Sequence, residues 1–305
     1  MSAERGASHV GIVHATRQTR RALLIGSSYD GLKGPENDVI AISELLEKKG
    51  FQQTNIFKVE GPTATRRNIL SAWKDFIAET QADDVVLIYY SGHGALVEPE
   101  DGSTQGRHKF IVPVDYRQDD PASFCGILQE EISFLLREST DKTANVTAIM
   151  DCCHAGRMAR NHLNGRNAVP RFLNPIRHAD VDAQVRTFLA EHSSTIKVDQ
   201  DRDPRTFKDN ELLVSIAAAA ENETAWEFAD AEGKTHGVLT HALIRALDGF
   251  EGDGPCSWSM LMLHVADLVR ENNGLQHPQV DGRSRRLLFS LDETTGPDSF
   301  AVATD

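Results

Sequence analysis

"DDVVLIYYSGHG" (residues 83–94) and "VTAIMDCCHAG" (residues 146–156) decide how this chain is read. Each is a run of apolar, β-prone residues that stops abruptly on small and polar ones. Short apolar runs of this kind, bounded by turn residues, fit strands buried on both faces of a parallel sheet. The first run delivers His93 between Gly92 and Gly94, and the second delivers Cys153 behind Asp151. In open α/β sheets, ligands bind beyond the carboxyl ends of parallel strands, near the point where strand order reverses. If the two strands are neighbours, an imidazole and a thiol converge there. The glycines around His93 would let a substrate backbone approach closely. The "HAGRMAR" that follows Cys153 reads as a helix start, whose N–H groups favour a thiolate and a developing oxyanion.

Working outward, residues 1–19 read as a tail and "RRALLIGSS" as a short strand. "PENDVIAISELLEKKGF" has helical spacing, with Pro35 and acids at its start and Gly50 past its end. "TNIFKV" reads as a strand, and "TATRRNILSAWKDFIAE" as a helix with Ile69, Trp73 and Phe76 on one face. "HKFIVPVD" reads as a strand or hairpin arm and "QEEISFLLRE" as a helix. After residue 210, "ELLVSIAAA" is a strand, "HGVLTHALIRALDGF" and "SWSMLMLHVADLVREN" are amphipathic helices, and "RLLFSL" reads as the closing strand. Alternating strands and helices imply a mostly parallel sheet with right-handed crossovers. Between about Arg157 and Asn210 the rhythm breaks into polar sequence, with eight arginines between 157 and 205. Such a length is expected to be a functional or a disordered loop.

Bulk composition narrows the function classes. A 40% hydrophobic and 25% charged chain is ordinary for a globular protein. The formal net charge of -13 argues against nucleic acid and anionic membrane surfaces as partners. No segment approaches the ~20 apolar residues of a membrane span, and no signal peptide is legible. Cysteines 125, 152, 153 and 256 give no framework spacing and no CxxC pair, so neither a disulfide scaffold nor a zinc site is expected. A reducing cytoplasm fits best.

A lone cysteine at a strand end is usually core filler, and a lone buried histidine is usually structural. Two such residues at two strand ends make a Cys–His dyad the better reading. An anion-loop phosphatase would need an arginine six residues past its cysteine, where Met158 and Ala159 stand. Cys152, one residue from Cys153, should face the opposite way along a continuing strand.

"YYSGHG", "DCCHAG" and the opening "ALLIGSSYDGLKGPENDV" resemble the caspase-like cysteine peptidases, in particular the metacaspases and their prokaryotic relatives. The resemblance continues through "SIAAAAENETAWEF", "HGVLTHALIRAL" and "HPQVDGRSRRLLF". It implies an α/β fold with a six-stranded, mostly parallel sheet, the last strand antiparallel, and helices on both faces. The peptidase domain would run over 20–291, with a large-subunit-like part (20–156), a basic processing linker (157–210) and a small-subunit-like part (211–291). Residues 292–305 would form a C-terminal tail. "LLVSIAAA" would be the strand that receives substrate.

By the same resemblance His93 is the general acid/base, Cys153 the nucleophile, and the N–H groups of Gly94 and Cys153 the oxyanion hole. Asp38, Ser91 and Asp151 match positions lining a pocket for a basic residue, where two carboxylates can hold a guanidinium by charge-assisted hydrogen bonds. Cleavage after Arg, with Lys second, is the expectation. The rivals are a peptidase with acidic preference and a non-catalytic adaptor. Self-processing is expected in the linker, after Arg157, Arg160, Arg166, Arg171 or Arg177.

Calcium-dependent relatives use aspartates where this chain has Gln129, Glu130 and Arg160, although Asp115 survives. A hard cation needs several oxygen ligands, so no metal and no cofactor is expected. Expected partners are protein substrates with exposed Arg or Lys, together with an upstream activating protease or regulator. The resemblance points to cell-death or defence proteolysis.

Overall fold

A computed structural model describes residues 18–98, 107–117, 124–153, 168–177, 181–192, 210–249, 255–272 and 274–293. The chain begins with β1 (Arg20–Gly26), α1 (Gly34–Lys48), β2 (Ile56–Glu60), α2 (Arg66–Glu79) and β3 (Val85–Ser91). A hairpin follows, β4 (Gly94–Glu98) and β5 (His108–Ile111), then β6 (Ile127–Leu128), α3 (Gln129–Lys142) and β7 (Val146–Asp151). Next come β8 (Val169–Pro170), β9 (Ile176–Arg177), α4 (Val181–Glu191) and β10 (Leu213–Ala217). The last elements are β11 (Trp226–Ala229), β12 (Thr235–Gly237), α5 (Val238–Asp248), α6 (Trp258–Asn272) and β13 (Gln279–Gly282).

Six strands form the main sheet in the order β13-β10-β7-β3-β1-β2. Five are parallel, and only β13 runs antiparallel, on β10. Every residue of β3 and β7 is buried, as their uninterrupted apolar sequences require of central strands covered on both sides. One face packs against α1, α5 and α6 through Val39, Ile42, Leu243 and Val265. The other packs against α2 and α3 through Ile69, Trp73, Phe76 and Leu135. Truncating a buried side chain such as Leu87 to alanine costs about 2–5 kcal/mol in cores of this kind. Thr65 caps α2 by accepting from the Asn68 N–H at 3.3 Å. The chain moves from β1 outward to β2 and then back across to β3, so the order reverses between β1 and β3.

Three expectations need correction. The closing strand is Gln279–Gly282, and "RLLFSL" is a turn-rich segment. Arg286 is fully buried there and donates to the carbonyls of Ala144 (3.0 Å) and Val146 (2.9 Å), while Phe289 sits at φ 54°, which an extended strand cannot hold. Within the segment expected to be loop, residues 181–191 form α4 and two short strands form at 169–170 and 176–177. Finally, β10 has both edges occupied, by β7 and β13, so "LLVSIAAA" cannot receive an added strand. The helix start expected after Cys153 lies outside the described residues.

Candidate active site

β3 and β7 pair in parallel with Ser91 opposite Asp151. His93 and Cys153, each two residues further on, therefore leave the sheet side by side from strands about 4.8 Å apart. Gly92 N–H still reaches the Asp151 carbonyl at 3.4 Å, so the register holds to the strand ends. Cys152 faces away, into the cluster of Leu23, Ile88 and Tyr90, whereas Cys153 belongs to the opposite cluster with Ile149 and Trp226. Burial pushes the Cys152 thiol well above its ordinary range.

The space beyond the two strand ends is occupied by the chain's own Arg171. Its side chain is fully buried. Nη2 donates to Asp38 Oδ2 at 2.6 Å and lies 3.5 Å from Glu227 Oε2. Nη1 donates to Ser91 Oγ at 2.8 Å and lies 3.1 Å from Asp151 Oδ2. The three carboxylates outweigh the desolvation of the guanidinium and raise its pKa further. The predicted trio of Asp38, Ser91 and Asp151 thus converges on one cation.

The acids around it are themselves held. Asp38 Oδ1 accepts from His236 Nδ1 at 2.9 Å and from the Gly237 N–H at 3.2 Å. Asp151 Oδ2 accepts from the Thr240 N–H at 3.1 Å and from Thr240 Oγ1. Burial would raise the Asp38 carboxyl, but Arg171 and His236 hold it below the ordinary value. Burial prevails at Asp151, whose carboxyl is raised despite Arg171. Two glycines form the walls. A Cβ at Gly237 would overlap Asp151 Oδ2 and Arg171 Nη1, and one at Gly34 would stand 2.5 Å from Arg171 Nη2. The slot admits a flat guanidinium because these side chains are missing.

The backbone of Arg171 is gripped as tightly. Its N–H donates to the Ala225 carbonyl at 2.8 Å, continuing the antiparallel pairing of β8 with β11. Its carbonyl oxygen accepts from two N–H groups at once, those of Gly94 (3.1 Å) and Cys153 (3.3 Å). The Cys153 thiol donates to the Glu223 carbonyl. His93 is buried, and among the described residues neither ring nitrogen makes a well-formed hydrogen bond. Burial, then the Arg171 charge, depresses its pKa to about 4, against a smaller opposing pull from the Arg171 backbone. The imidazole is therefore neutral at pH 7.

Glu227 was not read from the sequence. It lies in "AWEFA", where a single acid within an apolar strand was the available signal. Its carboxylate accepts from the N–H groups of Lys33 (3.0 Å) and Gly34 (3.1 Å), at the start of α1, while facing Arg171. His236 and Thr240 were also missed, for they precede and open α5 in an otherwise amphipathic pattern. Arg157, Arg160 and Arg166 lie outside the described residues. Arg177 stands in β9, opposite Glu98. The acids near the expected calcium positions have protein partners: Glu130 meets His108 at 2.9 Å, and Asp115 accepts from the Arg66 N–H at 2.9 Å. Among the described residues, no group of three or more His, Cys, Asp or Glu could hold a metal ion, and no helix is long and apolar enough to cross a membrane.

A family model for the caspase domain of the C14 peptidases matches residues 19–289. The chain is 32% identical over 154 residues to Metacaspase III c of Phaeodactylum tricornutum, covering 47% of this chain and 44% of that one. It is 30% identical over 150 residues to Metacaspase-1 of Schizosaccharomyces pombe, covering 45% and 34% respectively. Metacaspase-2 of Trypanosoma brucei is 32% identical over 151 residues, covering 46% and 42%. The match thus spans less than half the length of these curated relatives. A crystal structure of a Geobacter sulfurreducens protein superposes with a TM-score of 0.58 at 19% identity, over 87% of this chain and 94% of that one, a likeness of fold.

Proposed function

The chain belongs to the caspase domain family, and on that premise we propose that it is a cysteine endopeptidase that cuts after arginine, with lysine second. Its own Arg171–Phe172 bond is its first substrate. The observation that carries this reading is the double grip on Arg171: guanidinium among Asp38, Asp151 and Glu227, carbonyl oxygen on the Gly94 and Cys153 N–H groups. The three buried carboxylates exceed the single charge they enclose, which favours a cationic side chain and repels an acidic one.

In the proposed reaction His93 takes the Cys153 proton, and the thiolate adds to the Arg171 carbonyl carbon. The two N–H groups hold the resulting oxyanion. As the tetrahedral species collapses, the C–N bond breaks, and the imidazolium delivers its proton to the Phe172 nitrogen. Water then attacks the thioester with His93 as base, releasing the Arg171 carboxylate and restoring the thiol. Because β7 precedes the cut and β10 follows it, and the two are paired in the main sheet, the fragments stay together.

Intact-mass analysis tests this. Wild type should yield a fragment beginning at Phe172, with one species on a sizing column. Cys153→Ala and His93→Ala should stay whole, and Cys152→Ser should still cut. A panel with Arg, Lys and Asp before the reporter should rank Arg first and leave Asp uncut. A wild type that remains full length while cutting Arg substrates at full rate would end the self-processing reading.

A further inference from the structure

We propose that the enzyme also reads the far side of the scissile bond, by adding the substrate as a strand to β4 and receiving a bulky apolar side chain two residues past the cut. This rests on the cleavage reading above, and it names a second recognition site for the same substrate. The carrying observation is Gly94. Its N–H donates to the Arg171 carbonyl at 3.1 Å, and its carbonyl accepts from the Leu173 N–H at 3.0 Å. One residue thus holds both the carbonyl to be attacked and the amide two positions on. Both bonds are backbone to backbone, so they do not depend on the sequence presented. Any chain that sets its carbonyl on Gly94 in this orientation sets its second following amide there as well.

The following side chain then has a fixed destination. Leu173 is buried at 5% exposure, in one apolar cluster with Ala95, Val97, Phe110, Val112 and Tyr116. These five come from β4, β5 and the loop after them, on the near side of the cut, and Val181 and Val185 of α4 join the same cluster from beyond it. The parallel contact continues past it, from the Gly94–Phe172 bridge to Val97 opposite Ile176 and Glu98 opposite Arg177. The other edge of β4 is taken by β5, so this is the edge where strand addition can occur. Together with the antiparallel pairing of β8 on β11, an extended substrate is held on both sides of the bond. The substrate class is an extended segment with a basic residue before the cut and Leu, or a side chain of similar bulk, at the second position after it.

The test uses internally quenched peptides carrying the chain's own Ala-Val-Pro-Arg-Phe-Leu-Asn-Pro sequence. Replacing Leu by Asp should lower kcat/KM at least about 30-fold, because a buried apolar contact is lost and a carboxylate is desolvated. A Leu to Met change should cost less than about fivefold. Binding of the same peptides to the Cys153→Ala/Arg171→Ser double variant gives a readout that does not need turnover. There the Leu peptide should bind at least about tenfold tighter than the Asp peptide. Equal kcat/KM, or equal affinity where no peptide is cut, overturns the second site. A peptide with Glu in place of Arg that is cut as well as the parent would instead overturn the basic specificity, so the two failures are distinct.

Discussion

Consider Arg171→Gln, made in the Cys153→Ala chain so that no cleavage intervenes. The guanidinium lies against three carboxylates, each at most 2% exposed. Removing it leaves buried negative charges facing one another. The cost is not the sum of three ion pairs, since one cation serves all three. Deleting one partner of a buried pair costs about 3–5 kcal/mol, most of it the penalty on the charge left behind. Partial protonation of the acids and entry of water set the lower end of that range. Against a total stability of about 5–15 kcal/mol, this is a large fraction. Urea unfolding at pH 7, followed by tryptophan fluorescence, should therefore show a loss of about 3–5 kcal/mol. Arg171→Lys should lose less. Arg245→Gln, which breaks an exposed pair with Glu271, should stay within about 0.5 kcal/mol of the parent. If Arg171→Gln unfolds like the parent, the guanidinium is not what the acids enclose, and the pocket argument fails.

Three further outcomes follow from the same geometry. Asp38→Asn, Asp151→Asn and Glu227→Gln should each lower kcat/KM on Arg substrates about 30-fold or more, as the loss of about 2–5 kcal/mol for one partner of a desolvated charge pair requires; unchanged turnover in all three would remove the carboxylate pocket. Gly237→Ala should suppress both self-cleavage and Arg turnover, because the added methyl overlaps the seated guanidinium, and full activity would show that the slot is wider than described. The His93 pKa falls from 6.5 to about 4 in the folded chain, so between those values the unfolded state binds the extra proton. That stability contribution is fully present above pH 6.5 and is lost as pH falls toward 4, to a limit of about 3 kcal/mol. Cys153→Ala/His93→Gln should show a flatter decline in stability from pH 7 to 4 than Cys153→Ala, and parallel declines would refute it.

The main sheet was legible because its central strands are buried on both faces and so are written as unbroken apolar runs. His93 and Cys153 were legible because they end two such runs. Asp38, Ser91 and Asp151 were reached through a family resemblance and not through periodicity. Glu227 escaped because its four-residue strand pairs only with β12 and β8, of three and two residues, which are too short to show a period. The helix at 181–191 carries Val181, Val185, Phe188 and Leu189 at helical spacing, so a signal existed and was masked by the polar sequence around it. "RLLFSL" failed in the opposite sense. Its apolar content is real, but the buried Arg286 at its head is committed to backbone carbonyls at and just before the start of β7, and the chain turns to reach them. Which arginine occupies the pocket could not be read from residue type, since several stand in the same stretch.

The occupied pocket also constrains how such a chain can change through descent. Under the proposed specificity, the preference is inscribed twice in one gene, once in the acids of the slot and once in residue 171. A substitution that retunes the slot toward a different side chain strands a buried guanidinium, and so weakens the fold in the same step that alters selectivity. A substitution at 171 alone leaves the acids without their cation. Neither can drift without the other, and a lineage acquiring a new preference must change both together or pass through an unstable ancestor.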